Sequence, residues 1–156
     1  MAQVATQTAA AELLNAIYKN VKMASESLLT LMPKVKDEKL KSDMTVQLSV
    51  YDGFASRTAK LIGEEGAKPK DEKTVTKLTA KMGMMMSTLK DSTTGHLVDM
   101  LVDGTNMGVE DITKAIREGE KRGVSGEPIN LARHLCDYQE KTLADLKDFR
   151  KTLAQE

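Results

Sequence analysis

The sequence predicts an all-α fold, an antiparallel-paired four-helix bundle, and three observations carry that expectation. Aromatic residues make up 3% of the chain, Trp is absent and Pro occurs three times, so the residues on which strands and turn-rich β-folds depend are scarce. Ala, Leu, Met, Lys, Glu and Thr take their place. Apolar residues then recur three and four positions apart through long segments of similar length, which is the period of a helix with one buried side.

The first segment, about 8–35, carries Leu14, Ile17, Val21, Ala24, Leu28 and Leu31 in one stripe, with Thr8 as its expected N-cap and Pro33 near its end. A proline is least costly there, because the last turn loses little by a missing N–H. The second, about 37–64, aligns Leu40, Met44, Leu48, Tyr51, Phe54, Ala55, Leu61 and Ile62, and stops at Gly63-Glu-Glu-Gly66 and Pro69.

From Asp71 to Glu118 the pattern stays helical. At ~1.5 Å per residue such a rod would be near 70 Å long and would overhang its neighbours. A break is therefore expected at Asp91-Ser-Thr-Thr-Gly95, with Ser92 as N-cap. That leaves a short helix of about 72–90 and a full-length one of about 92–119. A last helix, about 128–154, follows Gly123-Val-Ser-Gly126 and starts on Pro128. Short links make the first pair and the last pair antiparallel. Between the second and third long helices lies a partly helical crossover, about residues 66–91, long enough to return along the bundle. The whole chain, 1–156, is one domain in size.

Lys plus Arg balance Asp plus Glu at 23 each, so nothing draws the chain toward nucleic acid or an anionic membrane. One cysteine, Cys136, excludes an intrachain disulfide and a cysteine-cluster metal site. The opening MAQVATQTAAAELLN lacks the basic and apolar parts of a secretory signal. No apolar run approaches the ~18 residues of a membrane span. The expectation is a cytoplasmic protein.

The stretch HLVDMLVD places His96, Asp99 and Asp103 three, four and seven apart, a spacing that could gather a metal ligand set on one side of a helix. The apolar side of that helix is defined by Leu97, Val98, Leu101, Val109, Ile112, Ala115 and Ile116. Asp99 and Asp103 lie about 140 to 180° from its centre, facing water or another subunit. Gly104 and Gly108, with Ala115 seven further on, sit on its flank, where two helix-interior glycines imply a close approach. Met82, Met85 and Met86 align with Val75, Leu78 and Leu89 as the buried side of the short helix. That is core packing by an adaptable side chain rather than a thioether copper site. Cys136 and His134, two apart, diverge and form no thiolate-imidazole pair.

The helix order, together with DSTTGHLVDMLVDGTNMGVEDITKAI over residues 91–116, resembles bacterial members of the ferritin-like superfamily that lack its metal motifs. The resemblance implies a four-helix bundle with one long crossover. Metal-binding members of such bundles present a Glu from each of two helices and an E-x-x-H motif from each of the other two. No Asp or Glu here is followed by His three positions later, and the chain has two histidines, His96 and His134.

The inward positions at mid-height are instead Val21, Ala24, Ser25 and Leu28 on the first helix, and Gln47, Tyr51 and Thr58 on the second. On the last they are Gln139 and Thr142, inside a stripe of Leu131, Leu135, Leu146, Phe149 and Leu153. Neutral amides and hydroxyls cannot offset two hard cations, which want anionic oxygen. Gln47, Tyr51, Thr58, Gln139 and Thr142 are therefore expected to form a buried hydrogen-bonded layer.

The functional expectation is a non-catalytic structural or interaction module with no cofactor and no di-metal centre. It is a homo-oligomer, a dimer in the first instance, that binds neither nucleic acid nor membrane. The competing expectation is a metal-dependent oxidoreductase or iron-storage protein with unorthodox ligands drawn from His96, Asp99, Asp103, His134 and Asp137.

Overall fold

A computed structural model describes the backbone of residues 2–69 and 89–153, with side chains from residue 9 onward. These residues form four α-helices and one short 3-10 turn, and no strand occurs among them. The arrangement is consistent with a four-helix bundle. Helix α1 spans Ala2–Leu31, α2 Glu38–Glu64, α3 Thr94–Lys121 and α4 Glu127–Thr152.

Helix α1 starts earlier than expected. Thr8 lies inside it rather than capping it, because the Ala-rich stretch before and after Thr8 carries helix propensity through that position. Its end is a 3-10 turn, Met32–Lys34, with Pro33 where no helical N–H is required. Helix α2 is capped by Asp37, whose Oδ1 accepts from the Leu40 N–H at 2.8 Å. It stops at Gly66, whose φ of 76° only glycine adopts freely, and the Ala67 N–H then donates back to the Ile62 carbonyl. Gly123, at φ 81°, ends α3 in the same way, with the Val124 N–H donating to Gly119.

The cap of α3 also departs from expectation. Thr93, not Ser92, accepts from the His96 N–H through its Oγ1, at 3.3 Å. The Asp91 carboxylate, accepting from the Thr93 N–H at 3.0 Å, fixes the turn one residue later. That bond holds the Asp91 carboxyl below its usual range. The expected short helix of 72–90, with Val75, Leu78, Met82, Met85 and Met86, lies outside the described residues except at its end. There Leu89 is half-buried against the core.

One side of each helix supplies the core. Leu14 and Ile17 from α1, Leu40, Met44 and Ile62 from α2, Leu97 and Ile112 from α3, and Leu135 from α4 are fully buried. Each such side chain stabilises the fold by about 1.5–3 kcal/mol relative to exposure. Helix α1 packs along α2 and α3, α3 packs along α4, and α2 touches α4 only lightly.

Four contacts near the surface tie the helices to one another. Arg122, just past α3, pairs with Glu12 near the start of α1. Arg133 pairs with Glu120 at 2.8 Å, Arg150 with Asp99 at 2.9 Å, and the Lys39 ammonium lies 5.2 Å above the Phe149 ring. Exposed pairs of this kind are worth at most about 1 kcal/mol each, so they mark the register more than they hold it.

Candidate functional site

Among the described residues no charged side chain is buried in the bundle interior at mid-height, and hydrogen bonding takes its place. Gln139 on α4 is 2% exposed, and its Nε2 donates to Asn20 Oδ1 on α1 at 2.8 Å. The Asn20 amide in turn donates to the Gly108 carbonyl on α3 at 3.0 Å. From α2 the Tyr51 hydroxyl reaches the Gln139 side chain. A hydrogen-bonded chain of two amides and a peptide carbonyl thus joins α4, α1 and α3 at one level, with the Tyr51 phenol of α2 beside it.

Gly108 is what permits it. A methyl group in place of its α-hydrogen would stand 2.9 Å from Gln139 Nε2 and 3.3 Å from Oε1. Its carbonyl can accept because a helix carbonyl has a second lone pair beyond its own helical bond. Gly104, one turn earlier, has nothing within 4 Å of such a methyl and is exposed. The expected close approach is therefore made by Gly108 within the bundle, and Gly104 faces outward.

Tyr51 is buried, and its ring meets Tyr138 edge to face at 5.6 Å; Phe54 lies 6.2 Å from the same ring. Burial pushes the Tyr51 hydroxyl up to about 12, opposed by the Gln139 contact. The group stays a neutral phenol at physiological pH. Thr58 is fully buried and turns its hydroxyl to the Phe54 carbonyl of its own helix. Gln47 and Thr142 are buried too, and they open onto a groove of about 500 Å³ between α2 and α4. Among the described residues Ser25, 6% exposed, has no partner for its Oγ, and neither has Oε1 of Gln139. An unpartnered buried polar atom costs on the order of 1–3 kcal/mol.

The five residues with metal-ligating side chains are not brought together. Asp99 and Asp103 are exposed on α3, and Asp99 accepts from Arg150. His96 is half-buried at the start of that helix, whereas His134 and Asp137 are exposed on α4. Among the described residues no three His, Cys, Asp or Glu side chains converge on one point. Cys136 is half-buried with Thr113 Oγ1 at 3.7 Å, and burial raises its thiol above the ordinary value, which leaves it a poor nucleophile at neutral pH.

Asn20 is the member of the relay that sequence reasoning missed. It lies three residues after Ile17 and four before Ala24, both on the buried side of α1, and that spacing was the available signal. Comparison with family models, with curated proteins and with solved structures finds no match for this chain. Among the described residues, no helix is long and apolar enough to cross a membrane.

Proposed function

We propose that this chain is a ferritin-like helical bundle acting as a structural or interaction module, without catalysis and without a di-metal centre. It works as a homo-oligomer, a dimer in the first instance, in the bacterial cytoplasm. The relay of Gln139, Asn20 and the Gly108 carbonyl, with the neutral Tyr51 phenol beside it, carries this reading. It fills with neutral groups the level at which a di-metal bundle presents carboxylates and imidazoles. Among the described residues, two divalent cations there would meet dipoles but no anion, so these residues do not fit such a centre.

The contacts at the helix ends support ferritin-like connectivity. The pairing of Glu12 with Arg122 supports opposite directions for α1 and α3, and Asp99 with Arg150 and Glu120 with Arg133 support the same for α3 and α4. Lys39 over Phe149 supports it for α2 and α4. On this reading the end of α2 and the start of α3 fall at opposite ends of the bundle. A connection that returns along the bundle is what a one-crossover topology requires. Buried polar layers of this kind serve to select one register among several that an apolar core would tolerate.

Metal analysis of protein purified without chelators tests the reading. No stoichiometric metal is expected, and about two equivalents of iron or manganese per chain would overturn it. Sedimentation equilibrium of the same preparation measures the oligomer, for which a dimer is expected.

A further inference from the structure

We propose that the groove between α2 and α4 is a binding site for a small amphipathic organic cation, an ammonium carried on an apolar body. Three observations lead there. The first is shape: α2 and α4 touch only lightly, and the groove of about 500 Å³ that separates them falls within the roughly 300–1,000 Å³ of small-molecule sites.

The second is the lining. Val46, Tyr138, Leu146 and Phe149 give an apolar and aromatic surface, and Val46 is 59% exposed although it is a large hydrophobic side chain. Gln47 and Thr142 add an amide and a hydroxyl at the floor.

The third is charge. Three carboxylates, Asp43, Asp145 and Asp148, stand around the groove with two ammonium groups, Lys39 and Lys141. Lys39 is bound to Asp43 at 2.8 Å, and Asp148 has Lys151 at 3.9 Å. Asp145 has no ion-pair partner among the described residues, and its field is felt at both Tyr138 and Lys39. It is therefore a carboxylate beside an aromatic wall that acts on Lys39 only at a distance, while Asp43 holds that ammonium.

The chain itself displays the chemistry at the groove mouth. The Lys39 ammonium, an alkyl cation on a flexible stem, rests 5.2 Å from the Phe149 ring centroid while bonded to Asp43. Asp43 first, then Asp145 and Asp37, raise its basicity. An aromatic face with a carboxylate behind it is the arrangement that recognises organic ammonium ions. A ligand cation entering deeper would face Tyr138 and Asp145, and would compete with Lys39 for Phe149.

That competition makes the inference testable, and the outcome does not depend on metal content or oligomeric state. Benzyltrimethylammonium is titrated into the full chain while the ring signals of Tyr138 and Phe149 are followed by NMR, with phenylacetate and benzyl alcohol as anionic and neutral controls. The expected result is saturable shifts at both rings for the cation, much weaker ones for the controls. Asp145→Asn should weaken binding about threefold, as the loss of one solvent-exposed charge contact implies. Lys39→Ala should tighten it about twofold by freeing the Phe149 face and Asp43. Both side chains are on the surface, and each variant is checked for unchanged helicity. Absence of saturable shifts, phenylacetate binding as tightly as the cation, or affinities unmoved in both variants would overturn the proposal.

Discussion

The seam between α1 and α3 and the seam between α2 and α4 are built from opposite materials. On the first, a glycine sits at each close approach: Gly108, whose carbonyl accepts from the Asn20 amide of α1 at 3.0 Å, and Gly119, with a Leu13 methyl carbon 3.3 Å from where its own side chain would begin. On the second, rings stand at the contact, Tyr51 against Tyr138 with Phe54 beside them. Helices separate according to the bulk of the side chains at their crossing. The glycine seam closes and lets a backbone carbonyl enter the hydrogen-bond relay, whereas the aromatic seam leaves the groove. One bundle thus holds a closed polar interior and an open flank, and the choice between them is made by a few side chains.

Gln139 of α4 bonds Asn20 of α1, abuts Gly108 of α3 and lies beside Tyr51 of α2, so its removal tests the contrast most severely. Gln139→Leu strands the Asn20 carbonyl oxygen and removes the polar neighbour of the Tyr51 hydroxyl, and is expected to cost about 3 kcal/mol in urea unfolding. A change below about 1 kcal/mol would mean that the relay contributes little.

The aromatic seam is probed by alkali. The Tyr51 hydroxyl titrates at about 12 in the folded chain, against an ordinary value near 10. Its folded pKa is raised, so the contribution is fully present below pH ~10 and is lost as pH climbs through ~12, up to about 2–3 kcal/mol in all. Stability measured from pH 9 to 12 should fall along this limb, and Tyr51→Phe should flatten it. An equal slope in the variant would assign the loss to other groups.

The gentlest comparison is between two glycines one turn apart. Gly108→Ala gains helix propensity of about 1 kcal/mol but drives a methyl group into the Gln139 amide. The amide is the end of a flexible side chain, yet it is buried and bonded to Asn20, so a net loss of about 1–2 kcal/mol is expected. Gly104→Ala meets nothing and should stabilise by up to about 1 kcal/mol. Thermal unfolding of the pair should therefore shift in opposite directions, and shifts of the same sign would sink the assignment of the two positions.

Much of this was legible in the sequence, for a reason particular to helices. A period near 3.6 locates the buried side of each segment without knowledge of its neighbours. Hence Leu14, Leu40, Leu97 and Leu135 identify themselves as core, and HLVDMLVD identifies its own outer face. The same period sets Gln139 between Leu135 and Leu146, and so inside. It says nothing about which group an inward amide will bond, since that partner comes from another helix. Asn20 therefore escaped notice, and Gly104 could not be told from Gly108.

What the sequence determined by itself is local and periodic: an all-helical chain, its capping and stopping residues to within a few positions except at the start of α1, and the absence of the E-x-x-H pattern. What only the tertiary structure decided is relational. It set Asn20 beside Gln139, turned one glycine inward and its neighbour outward, and left α2 and α4 apart. Helical periodicity is a property of one segment, but hydrogen-bond partnership and seam width depend on the rotation and spacing of two helices. Those are settled by all the side chains at a crossing acting together.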